Sequence, residues 1–126
     1  MAQQMDILDA LGRVIVDSAV KVHKTLGPGL LESVYCLAHE LKKRAIPVKQ
    51  QLSLPVYYDG ERIDGGLRLD LLVDDSVIVE IKAVEKSNPI HQAQLHTYLK
   101  LTGLRLGYLI NFNVRLMTDG IQRYSL

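Results

Sequence analysis

Asp70, Glu80 and Lys82 are the residues of this chain whose types and spacing could do chemistry. They lie in two stretches, Leu67 to Val73 and Val77 to Ala83, whose alternating apolar residues predict β-strands. Leu67, Leu69, Leu71 and Val73 are expected on one side of the first strand, with Arg68, Asp70 and Leu72 on the other. In the second strand Val77, Val79, Ile81 and Ala83 share a side, and Ile78, Glu80 and Lys82 share the opposite one. A three-residue loop, Asp74 to Ser76, would pair Val73 with Val77 and set Asp70 directly across from Glu80. A two-residue loop would slip the register and separate them. Directly opposed residues stand ~4.5–5.5 Å apart at Cβ, where like charges destabilise a sheet. Two carboxylates placed so call for a shared proton or a cation between them. Oxygen-only ligation suits Mg²⁺ or Mn²⁺ and not Zn²⁺, and Lys82 adds an ammonium on the same face. The competing reading is a surface ion pair of Glu80 with Lys82 and a solvated Asp70. Against it, these charges lie in the most apolar strands of the chain, where solvated residues are least expected. A third carboxylate, Glu32, follows a Gly27-Pro28-Gly29 turn that could aim it.

The remaining elements must position these side chains. Leu8, Leu11, Ile15, Ala19, Val22 and Leu26 recur at three- and four-residue steps, the apolar face of a first helix. Gly27-Pro28-Gly29 ends it. A second helix is predicted from about Leu30 to Ala45, burying Leu31, Val34, Ala38 and Leu41. Lys42, Lys43 and Arg44 complement the dipole of its last turn, and Pro47 bars continuation past Ile46. Leu52 to Tyr58 reads as a strand with Pro55 at an edge, and Asp59-Gly60 as a hairpin turn. The return strand passes Ile63, is interrupted at Gly65-Gly66 by a bulge or bend, and continues to Val73. Val77 to Val84 follows. Asn88 as N-cap and Pro89 at the first helical position open a third helix, which Gly103 closes. Leu104 to Asn111 is the next strand, so strand, helix and strand form a right-handed βαβ unit. A last hairpin turns at Asp119-Gly120. The expectation is one α/β domain over residues 1–126: a mixed β-sheet flanked by helices, in the order ααβββαβ with a C-terminal hairpin.

Composition bounds the setting. With 126 residues, 48% apolar and 23% charged, the chain matches an ordinary globular domain. Its length supports a core without disulfides. A single thiol, Cys36, and no signal peptide point to a reducing, cytoplasmic setting. No apolar run approaches the ~18 residues of a membrane span. The net charge of +1 lacks the basic surplus that marks most nucleic-acid binders. A nucleic-acid role must therefore rest on local chemistry.

Asp70 followed by Glu80-Ile81-Lys82 on consecutive strands resembles the Asp…(Asp/Glu)-x-Lys core of the PD-(D/E)xK nuclease superfamily. Gly29-Leu30-Leu31-Glu32-Ser33-Val34-Tyr35 is similar to the motif that names its GxxExxY branch. Gln94-Leu95-His96-Thr97-Tyr98 resembles the Gln-x-x-x-Tyr signature of exonuclease-like members, and the stretch around Asn111-Phe112-Asn113 is also similar to that family. The resemblance spans about Gly27 to Asn113 in the family's order; the Pro of the superfamily's name is absent before Asp70. It implies a restriction-endonuclease-like fold and a Mg²⁺-dependent nuclease, with Mn²⁺ able to substitute, hydrolysing phosphodiester bonds in DNA. On that resemblance Asp70, Glu80 and the backbone carbonyl of Ile81 would ligate the metal. Lys82 would orient or help deprotonate the attacking water, and Glu32 would hold the metal through water or help activate the nucleophile. Gln94 and Tyr98, one helical turn apart, would position the site or the scissile strand. Because the superfamily includes degenerate members, the alternative is a catalytically inactive module of this fold that binds nucleic acid or a protein partner. So short a chain leaves little surface for wrapping a duplex, which favours a homodimer or a larger protein complex.

Other residues carry weaker signals. Tyr35 lies near Glu32 on the helix wheel and either hydrogen-bonds it or is a part-buried aromatic with its hydroxyl at the surface. Arg68, on Asp70's side of its strand, is the basic residue best placed to contact a substrate backbone. Cys36 and His39 have the spacing of a thiol–imidazole pair but lack an orienting acid, so a small buried thiol is expected. His91 and His96, about 140° apart on a helix, cannot share a metal. His23 is expected at the surface, and Lys42-Lys43-Arg44 as a solvated helix end.

Overall fold

A computed structural model of the chain describes residues 2–126. The elements are α1 (Ala2–Leu26), α2 (Ser33–Lys43), β1 (Val48–Tyr58), β2 (Glu61–Val73), β3 (Val77–Lys82), α3 (Pro89–Thr102), β4 (Leu106–Asn111) and β5 (Ile121–Ser125). The strands form one sheet in the order β1-β2-β3-β4-β5. Neighbours are antiparallel except β3 and β4, which run parallel across the α3 crossover. This is the mixed, helix-flanked sheet of a restriction-endonuclease-like fold. Among the described residues no helix is long and apolar enough to cross a membrane.

Two apolar layers hold the sheet. On one face Ile15 and Ala19 of α1 and Leu37 and Leu41 of α2 pack against Val79, Ile81, Tyr108 and Ile110. On the other, Leu95 and Leu99 of α3 pack against Leu69, Leu72, Ile78 and Leu109. Covered on both faces, β3 and β4 need the near-continuous apolar sequences they have, and each fully buried Leu or Ile contributes ~1.5–3 kcal/mol. Gly107 lets α3 approach: a Cβ there would stand 2.9 Å from Leu95 Cδ1. Asn88 caps α3 by accepting from the Ile90 N–H at 3.0 Å, and Gly103 closes it with φ +74. In the β1–β2 arm the register jumps from Leu54↔Leu67 to Val56↔Ile63, so residues 64–66 loop out opposite Pro55 on the sheet edge.

The structure corrects several expectations. α2 begins at Ser33, because residues 30–32 form turns in which Ser33 N–H donates to the Leu30 carbonyl. Leu31 therefore points outward and is 69% exposed. Leu26, at the last residue of α1, is also exposed. β1 starts at Val48, paired with Val73, while β3 and β4 are shorter than expected. The last hairpin is not a tight turn: residues 112–120 connect β4 to β5 through a 3₁₀ turn, Met117–Asp119. His23 is buried, 7% exposed, with Nε2 2.7 Å from the Val114 carbonyl and its ring beside Phe112. Lys42-Lys43-Arg44 is not merely solvated, since Arg44 and Lys43 both reach Glu40. Cys36 is half-buried.

The alternation in β2 also breaks. Leu71 and Val73 face α1 and α2, but Leu69 packs with Leu72 in the α3 layer. The change of face falls at Asp70, across from Gln51, which adopts φ +48.

Candidate active site

The β2–β3 hairpin is closed by Asp74, Asp75 and Ser76, with both aspartates at positive φ, 52° and 51°. Aspartate tolerates that region better than most residues, and the Ser76 N–H closes the turn on the Val73 carbonyl at 3.0 Å. The loop sets Val73↔Val77, Leu72↔Ile78 and Leu71↔Val79. Continued by one step, that register puts Asp70 opposite Glu80, as the loop length implies.

At this step the backbone ladder stops and the side chains replace it. The Asp70 N–H donates to Glu80 Oε2 at 2.8 Å, and the Ile81 N–H donates to Asp70 Oδ2 at 2.8 Å. Each carboxylate thus satisfies the backbone of the strand facing it, which holds both in fixed orientation while the strands part. Among the described residues no N–H donates to Asp70 Oδ1 or Glu80 Oε1, and a protonated Glu80 carboxyl can share a hydrogen bond with Asp70. The Lys82 carbonyl turns the other way and accepts from the Phe112 N–H at 2.8 Å. By alternation the Ile81 carbonyl faces the opened β2 side, beyond the last ladder pair.

Glu80 is 5% exposed. Burial, and then the charge of Asp70, push its carboxyl up to about 8, against the Asp70 N–H and the Lys82 ammonium, which favour ionisation. Among the described residues no ion pair joins Asp70 or Glu80 to a cation, so the alternative of a Glu80–Lys82 surface pair fails. Lys82 is half-buried at the end of β3, in a cavity shared with His91, Asn111 and Gln122. Asn111 locks the segment beyond it: its Oδ1 accepts from Val84 N–H at 3.1 Å and its Nδ2 donates to the Val84 carbonyl at 2.9 Å. That amide imitates a strand partner, a role residue type alone did not disclose.

A divalent cation fits this donor set. Mg²⁺ keeps several waters and is commonly bound by one or two carboxylates plus substrate phosphate. Two free carboxylate oxygens and one free carbonyl around a parted strand pair match that habit. No group of three or more His, Cys, Asp or Glu side chains converges among the described residues, so Glu32 is not brought in as a third carboxylate ligand. It stands at the N-cap of α2, exposed and making no side-chain cap bond. It shares with Asp70, Ile81, Gln51 and Tyr35 a cavity of about 240 Å³. Tyr35 is 56% exposed; its backbone N–H donates to the Glu32 carbonyl at 3.0 Å, but its hydroxyl makes no hydrogen bond to the Glu32 side chain among the described residues.

From the opposite face α3 brings Gln94 and Tyr98 together: Gln94 Nε2 donates to the Tyr98 hydroxyl oxygen at 3.0 Å. Burial and the negative charges of Glu80 and Asp70 raise the Tyr98 phenol above its ordinary range. Arg68 is exposed, and its Nε donates to Gln51 Oε1 at 3.2 Å. Gln51 itself gave no signal in the sequence, because its type does not announce a left-handed backbone.

No curated protein and no solved structure matches the chain. The family model for the PD-(D/E)XK nuclease superfamily matches residues 9–124, from within α1 to within β5. Nucleases of that superfamily generally use divalent metals such as Mg²⁺. With the Asp70 and Glu80-x-Lys82 strands lying side by side in the sheet, the chain belongs to the PD-(D/E)XK nuclease superfamily.

Proposed function

We propose that the chain is one catalytic domain of the GxxExxY branch, a Mg²⁺-dependent nuclease that hydrolyses phosphodiester bonds in DNA. The observation that carries this is the reciprocal pair of hydrogen bonds between Asp70 and Glu80, which spends one oxygen of each carboxylate on backbone and leaves the other free. Asp70, Glu80 and the Ile81 carbonyl hold the metal, and Glu32 contributes through water or helps activate the nucleophile. When bound, Mg²⁺ polarises a phosphoryl oxygen and lowers the pKa of water. Lys82, in no ion pair among the described residues, turns its ammonium to the attacking water and to the charge that gathers on the phosphate. Tyr98 accepts from Gln94, so its own O–H is released to donate toward substrate, and its raised pKa keeps that proton in place. Arg68, exposed at the rim, meets a backbone phosphate. The small surface of the chain favours a homodimer or larger complex around a duplex; light scattering at micromolar concentration tests this, and a monomer that cleaves unaided refutes it.

Single-stranded, double-stranded and branched DNA, each with Mg²⁺, Mn²⁺ or EDTA, test the activity. Cleavage is expected with either metal, with none in EDTA and a loss of at least ~100-fold in Asp70→Ala, Glu80→Ala and Lys82→Ala, the scale of one general acid–base or electrostatic contribution. Unchanged cleavage by Glu80→Ala overturns the assignment. Metal-independent binding of DNA without cleavage marks the inactive module instead.

A further inference from the structure

The cavity beside Asp70 has features that metal binding does not use. Its walls are apolar at Val34 and Ile81, and its rim carries Leu31 and Tyr35, both largely exposed. Nothing in the packing of the fold requires an outward leucine and tyrosine at this mouth. Among the described residues its charged lining groups are Glu32 and Asp70, and the Arg68 guanidinium reaches it through Gln51. Gln51 lines it from a strained, positive-φ backbone, and strain of this kind persists where the surrounding structure imposes it, often at ligand sites. The Arg68 Nε holds the Gln51 amide by its oxygen, and the NH₂ group of this lining residue has no acceptor among the described residues.

We propose that this cavity binds one unstacked nucleobase of single-stranded DNA, next to the phosphodiester held at Asp70 and Glu80, with Tyr35 stacking on the base and Gln51 donating to its edge. The proposal rests on the nuclease reading for the placement of the phosphodiester. Charge selects the occupant. Inside the cavity a phosphate would meet two carboxylates, with Arg68 reaching it only from the rim through Gln51, whereas a base is neutral, with apolar faces and acceptor atoms at its edge. Size agrees: about 240 Å³ lies below the ~300–1,000 Å³ of pockets that enclose a drug-sized ligand, and suits one planar ring system. A base inside a duplex is stacked and paired and would have to be extruded first. Single strands and frayed ends present it directly, and aromatic platforms of this kind accept any base.

The test uses the full chain carrying Glu80→Gln to suppress cleavage, and single-stranded oligodeoxynucleotides with 2-aminopurine at successive positions. One position is expected to report stacking. Tyr35→Ala, at an exposed site, should weaken binding about 10-fold, the size of one base–aromatic stack, while Tyr35→Phe binds as before. An abasic residue at the reporting position should weaken the parent equally and leave Tyr35→Ala no weaker than it already is. Equal binding by Tyr35→Ala, or a blunt duplex bound as tightly as the single strand, overturns the proposal. Base-dependent binding in a protein that never cleaves with Mg²⁺ refutes the nuclease reading and leaves the base pocket standing. Metal-dependent cleavage that ignores both Tyr35→Ala and the abasic residue does the reverse.

Discussion

Glu40 and Glu80 are both buried by this fold, 8% and 5% exposed, and the protein surrounds them in opposite ways. Glu40, on α2, receives Lys21 Nζ at 3.0 Å and Arg44 Nε at 2.9 Å, with Lys43 at 3.9 Å and Arg44 bound in turn to Asp17 at 2.7 Å. The Arg44 and Lys21 hydrogen bonds hold its carboxyl down to about 2. Glu80, in the central strand, meets a second carboxylate and the Asp70 N–H, with no ion-paired cation among the described residues, and rises to about 8. A buried carboxylate is costly unless its charge is matched. Glu40 is matched by three side chains and clamps α1 to the end of α2. Among the described residues no cation stands at contact distance from Glu80. Burial alone therefore does not mark a functional acid; the composition of its neighbours does.

The largest expected difference between the two is in cleavage. Glu80→Gln should lose at least ~100-fold in rate, whereas Glu40→Gln, assayed at a temperature where it is fully folded, should cleave within about twofold of the parent. A comparable loss in both variants would erase the contrast. The next effect is the response to metal. A ligand that binds only the folded state at 100 times its Kd adds ~2.7 kcal/mol, which for a chain of this size raises Tm by on the order of 10 °C. The parent and Glu40→Gln should both show the rise in Mg²⁺ melts, and Glu80→Gln should lose most of it.

Acidity separates the glutamates again. The Glu80 carboxyl titrates higher in the folded chain than its ordinary 4.5, so its contribution to metal-free stability is complete below that value and is lost as pH rises through about 8. Glu40 titrates lower, so its contribution is present above 4.5 and lost as pH falls toward about 2. Melting curves in EDTA should show a decline between pH 4.5 and about 8 that Glu80→Gln flattens and an acid decline below 4.5 that Glu40→Gln flattens. The smallest effect is at neutral pH without metal. Glu80→Gln should melt at or slightly above the parent, because an amide keeps the acceptor for the Asp70 N–H and needs no proton taken up on folding. Glu40→Gln should melt below it. A fall in Glu80→Gln with no response to Mg²⁺ in either protein would remove the metal site.

Much of this was readable before any coordinates. The Asp74–Ser76 loop fixed a parity, and the parity placed Asp70 across from Glu80, because a strand's two faces leave only one register that buries its apolar row. Asn88-Pro89 and Gly103 bounded α3 through local chemistry. What failed depended on distant partners or on backbone conformation. His23 is buried because Val114, 91 residues away, accepts its hydrogen bond. The Arg44–Glu40 pair is four residues apart and readable on a helix, but Lys21 comes from another helix, so the cluster was not. The broken alternation at Asp70 depends on the backbone of Gln51, and glutamine carries no preference that would announce it. Leu31 falls in the core only if its helix begins at Leu30, three residues before the Ser33 at which α2 starts.

The Asn111 clamp has a consequence in time. Asp70 and Glu80 meet across a contact of only 10 residues, within one hairpin, whereas the Val84–Asn111 bonds span 27 and need β3, α3 and β4 in place. Closing the longer loop costs more chain entropy, and nonlocal pairing is slower. During folding the two acids are thus expected to face one another before the lysine end of their strand is locked. In pulsed hydrogen exchange the Ile81 amide should gain protection ahead of the Val84 amide, so the like charges are brought together first and the segment carrying Lys82 is secured last.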